Sequence, residues 1–204
     1  MSANVQAGSG GVPLLGAELL ARDAELVDLT GEFFQGMPMF ALHQAPFIMV
    51  NHTHEEAITR LGVTLPFSAN NLLISEHTGT HTDAIYEYDQ DGPTLSESPL
   101  EYYYGSAICL DVSDLRFPER IEPERLERAL AESGQELRKG DIVLLYTGTH
   151  ERLWPEQRYI SEYCGLSEAG ARWLAERGVV NIGIDAVSID AADDPDFLGH
   201  IVCK

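Results

Sequence analysis

The feature that most constrains this chain is the regular alternation in its second half, where amphipathic segments are interleaved with short, wholly apolar runs. Pro123–Ser133 places Leu126 and Leu130 four residues apart, a helical spacing, and Pro123 suits a first turn, where a missing N–H costs nothing. Gly140-Asp141 then leads into Ile142–Tyr146 (IVLLY), a run of the kind found in parallel strands buried on both faces. Ser167 can cap a second helix over residues 168–177, which Gly178 ends, and residues 179–184 form the next apolar run, leading into Asp185. This order indicates an α/β domain. The chain has 204 residues, no dividing linker and no internal repeat, so one domain is expected.

The first half is less regular. Residues 1–12 are small, polar and Gly-rich and are expected to form a disordered tail ahead of a domain spanning 13–204. Residues 14–23 have helical apolar spacing, residues 26–29 are a short strand candidate, and Gly36-Met37-Pro38 marks a turn. Between Phe47 and Ile74 the pattern favours strand, with Ile58, Leu61, Val63 and Leu65 near alternation. Residues 106–112 (SAICLDV) read as a buried strand that holds Cys109 as a small core residue.

Charge restricts the partners. Thirteen basic against 33 acidic residues give a net charge of −20, a surface that repels phosphate backbones and anionic lipid, so neither nucleic acid nor membrane is expected. No run approaches the ~18 apolar residues of a membrane span, and the N-terminus lacks the basic and apolar regions of a signal peptide. Cys109, Cys164 and Cys203 are widely and irregularly spaced, which fits a reducing, cytoplasmic setting rather than a disulfide framework.

The chemistry concentrates in residues 76–88, EHTGTHTDAIYEY. His77, His81 and Asp83 stand at i, i+4 and i+6. Thr-Gly-Thr is a poor helix interior and the Asp would leave the face shared by the histidines, so a loop folding back suits all three better. Two neutral imidazoles and a carboxylate are ligands that Zn2+ or Mn2+ accepts, and three protein ligands leave a coordination position open for water. On spacing alone, the same residues can equally be a polar loop hydrogen-bonded to itself.

HTGTHTDA resembles the HxGTHxDA pattern of the cyclase-like metal-dependent hydrolases, a family of the kynurenine formamidase, isatin hydrolase and dienelactone hydrolase type. LVDLTGEFFQGMP (26–38), GDIVLLYTG (140–148) and GLSEAGARWLAERGVVNIGIDAVSID (165–190) are similar to other segments of that family, so the likeness covers residues 26 to 204. It implies a swivelling β/β/α fold, a single domain with a mixed or barrel-like sheet and peripheral helices, assembled as a homodimer or homotetramer. By the same resemblance His77, His81 and Asp83 are ligands of a divalent cation, zinc or manganese. His200, in GHIVC, falls where the family places a further histidine that ligates a second metal or binds substrate.

The chain departs from that pattern twice. Where family members read DAPxH, this chain has Ile85 and Glu87. Glu87 can replace the acid/base histidine, coordinate the metal, or be a surface acid. The segment that in the family follows the late histidine and carries a further metal-binding Glu has no counterpart before Lys204, as if the domain were truncated. The expected activity is hydrolysis of a small amide, formamide, lactam or lactone: a bound cation lowers the pKa of its water toward ~7, the hydroxide attacks the carbonyl, and Glu87 carries the proton. The alternative is a catalytically silent scaffold of the same fold.

Other candidates are weaker. His52 and His54 form an H-x-H pair that suits a polar strand or loop as well as a metal. His150 can line a pocket or lie in an exposed loop, and Phe33, Phe34, Tyr86 and Trp154 can supply an aromatic substrate wall or ordinary packing. There is no G-x-S-x-G elbow, P-loop or G-x-G-x-x-G, and no cysteine has the cationic surroundings of a nucleophile.

Overall fold

The structure, a computed structural model, describes residues 25–204. The tail at 1–12 and the helix expected at 14–23 lie outside these residues. Three parallel strands form the central sheet: β3 (Ala107–Asp111), β5 (Ile142–Tyr146) and β7 (Asn181–Ile184), in the order β3-β5-β7. Cys109 is in register with Leu144, and Leu144 with Gly183. Two helices cross over between these strands. They are α2 (Pro123–Ser133), with Pro123 in its first turn, and α4 (Glu168–Glu176), whose N-cap Ser167 accepts a hydrogen bond from the Gly170 amide at 3.0 Å. Both helices and β5 fall where the apolar periodicity and caps place them. A short parallel pair, β4 (Arg120–Ile121) and β6 (Gly165–Leu166), accompanies them.

The core is built from one face of the central sheet. Ile108, Leu110, Val143 and Leu145 pack with Leu126 and Ala129 of α2 and Ala171, Trp173 and Leu174 of α4. Period-2 alternation puts Cys109 on the other face, where it is exposed, so the expected core cysteine is a surface residue. Trp173, the largest core residue, keeps its indole N–H paired with Glu127 Oε1 at 3.0 Å and lies under the Arg177 guanidinium, 3.7 Å from the ring centre.

The first half is built differently. β1 (Phe47–His52) and β2 (Ala69–Leu73) pair antiparallel, so the sheets together are mixed in sense within one α/β domain. Between them, where alternation suggested strand, the chain forms helix α1 (His54–Leu61). The deciding signal is Thr53-x-x-Glu56, a capping box: Thr53 Oγ1 accepts from the Glu56 amide at 3.2 Å and Glu56 Oε2 accepts from the Thr53 amide at 2.9 Å. Arg60 pairs with Glu56 one turn on, and Gly62 closes the helix in the left-handed region, so the apparent period of Ile58 and Leu61 was helical. Residues 26–29 form no strand, whereas the Gly36 turn is present. A short helix α3 (Thr149–Leu153) follows β5, and α5 (Leu198–Cys203) is the last element described.

Candidate metal centre

β2 delivers the chain into an irregular loop that carries HTGTHTDA. The Ser75 hydroxyl accepts from the His77 amide at 3.2 Å, and its carbonyl accepts from the Thr78 amide at 3.1 Å, starting a tight turn. Gly79 continues it at φ +72°, a conformation open to glycine, and this brings His81 back toward His77. The Thr80 hydroxyl accepts from the Gly31 amide at 2.8 Å, tying the loop to the segment before the Gly36 turn. The loop is therefore not a helix, as its composition implied.

Three side-chain atoms converge there. His77 Nδ1 lies 3.2 Å from His81 Nε2 and 3.1 Å from Asp83 Oδ1, and His81 Nε2 lies 3.3 Å from the same oxygen. They are the one group of three or more metal-type ligands brought within 4.8 Å of one another among the described residues. Ligands about 2.0–2.2 Å from a tetrahedral zinc stand roughly 3.3–3.5 Å apart, so the triangle fits with a shift of a few tenths of an ångström. Its chemistry fits too. The Gly79 carbonyl accepts a hydrogen bond from His81 Nδ1–H at 2.8 Å, which leaves the bare Nε2 turned inward. Acceptor atoms that converge in this way require a proton or a cation between them.

The electrostatics carry the same mark. The hydrogen bond to Asp83 raises the His81 pKa against the opposing effect of burial, and the Gly79 carbonyl adds to it. Burial pushes the Asp83 carboxyl up, but the bond to His81 and the nearby His77 and His200 bring it below its ordinary value. Glu87, in a 3-10 turn at Ile85–Glu87, stands with Oε1 3.6 Å from His77 Nε2, outside the triangle. Burial, and then the Asp83 charge, raise its pKa above that of an ordinary glutamate.

His200 approaches from α5. Its Nδ1 is bound to Asp190 Oδ2, its ring meets Tyr88 edge-on with centroids 5.1 Å apart, and its charge acts on both Asp83 and Glu87. Burial lowers its pKa, but the bond and charge of Asp190 outweigh this and leave it raised. His52 packs edge-on to Phe67 with centroids 5.0 Å apart, and His54 opens α1. His150 is not an exposed loop residue: it lies half-buried in α3, stacked on Trp154 (5.4 Å, 19°) and edge-on to Tyr159, with Phe34 against the other ring of the group.

Two residues are legible only in the structure. The His43 ring lies 4.3 Å from that of His77, tilted by 35°, and burial followed by the proximity of His77 and His81 lowers its pKa. Asp190, 1% exposed, belongs to the SID segment, but nothing in the sequence pairs it with His200. A histidine 34 positions upstream of the motif gives no local signal.

The family model described as "Putative cyclase" matches residues 27–191. A kynurenine formamidase from Bacillus mycoides is 32% identical over 133 residues, which covers 65% of this chain and 58% of that protein, so the chain spans less than two thirds of that relative. A kynurenine formamidase from Paracidovorax citrulli is 27% identical over 179 residues, covering 88% of this chain and 76% of the other. In structure, isatin hydrolase A from Labrenzia aggregata superposes with a TM-score of 0.75 at 23% identity, over 90% of this chain and 78% of that one, a likeness of fold.

Proposed function

This chain belongs to the putative cyclase family, and from that premise we propose that it is a metal-dependent hydrolase acting on a small amide, formamide, lactam or lactone. The observation that carries the reading is the donor triangle of His77, His81 and Asp83, with edges of 3.1–3.3 Å. These residues would hold zinc or manganese. When bound, such a cation polarises a carbonyl and makes water a nucleophile near neutral pH, with a pKa of about 7. The name formamidase, shared by the curated relatives, supports an amide-type substrate.

The chain's own residues divide the remaining work. Glu87 stands beside His77 with its pKa raised by burial, which suits a group that takes a proton from water and returns it to the leaving nitrogen or oxygen. On this reading it takes the place of the family's acid/base histidine, and its position outside the triangle supports that role over one as a ligand. His200, held by Asp190, is the second polar group for the substrate or its developing charge.

The partner we assign beyond the substrate is a second copy of the chain, in a homodimer or homotetramer. Among the described residues nothing covers the β1–β2 pair, with Phe47, Met49, Val50, Leu72 and Leu73 each at least 50% exposed, and a two-stranded sheet is marginal alone. The cysteines are all free, which supports a cytoplasmic setting. Among the described residues, no helix is long and apolar enough to cross a membrane.

The test is elemental analysis of the dialysed protein beside His81→Ala. Near-stoichiometric zinc or manganese that disappears in the variant, with turnover of a formamide or lactone by the parent alone, is the expected result. A parent that takes up neither cation would leave the silent-scaffold reading in its place.

A further inference from the structure

Asp190 is 1% exposed, so its carboxylate must be matched on every side. The backbone around it is closely packed. Residue 190 bridges in parallel to Leu166, and the Leu166 amide donates to the Ile189 carbonyl at 2.7 Å. A Cβ built on Gly165 would lie 2.1 Å from the Asp190 carbonyl carbon, so residue 165 must be glycine for the two segments to meet. On the other side, a Cβ on Gly199 would lie 2.6 Å from Asp190 Oδ1. The carboxylate is thus held between the end of β6 and α5.

Its two oxygens are divided between two partners. Oδ1 accepts from the Gly199 amide, and Oδ2 faces His200 Nδ1. A backbone amide can only donate, so the Gly199 contact settles what Oδ1 does. An ionised carboxylate only accepts, so Oδ2 requires the proton to sit on Nδ1. Tyr88 and Phe197 hold the ring edge-on at 5.1 and 6.0 Å between centroids.

We propose that Asp190 is the positioning residue for His200: it keeps the neutral ring in the Nδ1–H form, so that Nε2, on the opposite edge, offers a bare lone pair to the site. The consequence for turnover rests on the hydrolase reading above; the proton position does not.

Asp190→Asn tests this sharply. The Gly199 amide still needs an acceptor, so the Asn carbonyl oxygen must take that side and its NH2 must face Nδ1. The His200 proton is then forced to Nε2.

The measurement is a long-range 1H–15N correlation through the imidazole rings of the full chain labelled at histidine. It is recorded without added metal, at a pH where the rings are neutral, and His200→Gln supplies the assignment. The expected result is Nδ1–H in the parent and Nε2–H in Asp190→Asn. In addition, kcat should fall about 10–100-fold, as for partners that orient site ligands, with KM little changed. If the parent itself shows Nε2–H, the proposal is overturned whether or not Asp190→Asn folds. An unchanged tautomer in a folded Asp190→Asn overturns it equally. An inverted tautomer in a protein that hydrolyses nothing upholds the positioning and removes the hydrolase reading. A variant with KM raised and kcat intact would show that His200 serves binding alone and would overturn the catalytic consequence.

Discussion

The two halves of the chain are built to different standards. Among the described residues, every large side chain that is essentially fully buried, from Leu110 to Asp190, lies in the second half, whereas all but Phe117, Phe197 and Ile201 of the exposed large apolar residues lie before Gly105. The donor triangle belongs to the loosely packed half, whereas His200, whose charge acts on Asp83, and its partner Asp190 belong to the other. Local stability follows buried apolar contact, so the loop with His77, His81 and Asp83 is expected to open more easily than the central sheet. The difference teaches that the parallel sheet supplies the core of the fold, while the half with the donor triangle is left for the proposed cation and second copy to complete.

The largest expected effect would separate chemistry from folding. Glu87→Gln should lower turnover by about 10²–10⁴-fold, the range for a positioned proton-transfer group, with metal content and the urea midpoint unchanged. Turnover that survives the change would take Glu87 out of the mechanism.

Leu145→Ala should do the reverse. Leu145 is 1% exposed in the core, and truncation there costs about 2–5 kcal/mol in a denaturant titration. Leu73→Ala, at a position 58% exposed, should stay within about 0.5 kcal/mol in the monomer. A larger, concentration-dependent loss for Leu73→Ala would mean that the β1–β2 pair is covered in solution, as the proposed homo-oligomer requires.

Zinc bound at the proposed site should sharpen the contrast by stabilising the weaker half. At a free concentration of one hundred times Kd it should add about 2.7 kcal/mol to the parent, and the gain should be absent from His81→Ala. Equal gains in both proteins would place the cation elsewhere.

The smallest effect is in pH. Asp190 raises the folded pKa of His200, so its contribution to stability is complete below the unfolded value of about 6.5 and is lost as pH rises through the folded one. Measured without metal, the stability difference between the parent and His200→Gln should shrink across that window. A difference that grows with pH would reverse the sign and contradict the raised value.

Much of the second half was legible in advance, because its signals act within one turn of helix or two residues of strand. The bounds of α2 and β5, the Ser167 cap and the closure of α4 near Gly178 follow from local periodicity and capping. The first half misled at α1, where alternation at Ile58 and Leu61 competed with the Thr53–Glu56 capping box and the box prevailed. Cys109 was misplaced because an apolar run states that a strand is buried without stating which face.

The sequence by itself determined the α/β order and the candidate ligand loop, since His77, His81 and Asp83 lie within seven residues and Gly79 supplies the turn that joins them. Only the tertiary structure decided that Glu87 stands beside His77 outside the triangle, that His43 lies against the His77 ring, and that Asp190 holds His200. The physical reason is range. A turn or a cap is settled by neighbours along the chain, whereas contacts such as His43 with His77 depend on how separate segments pack, and no spacing in the sequence encodes that.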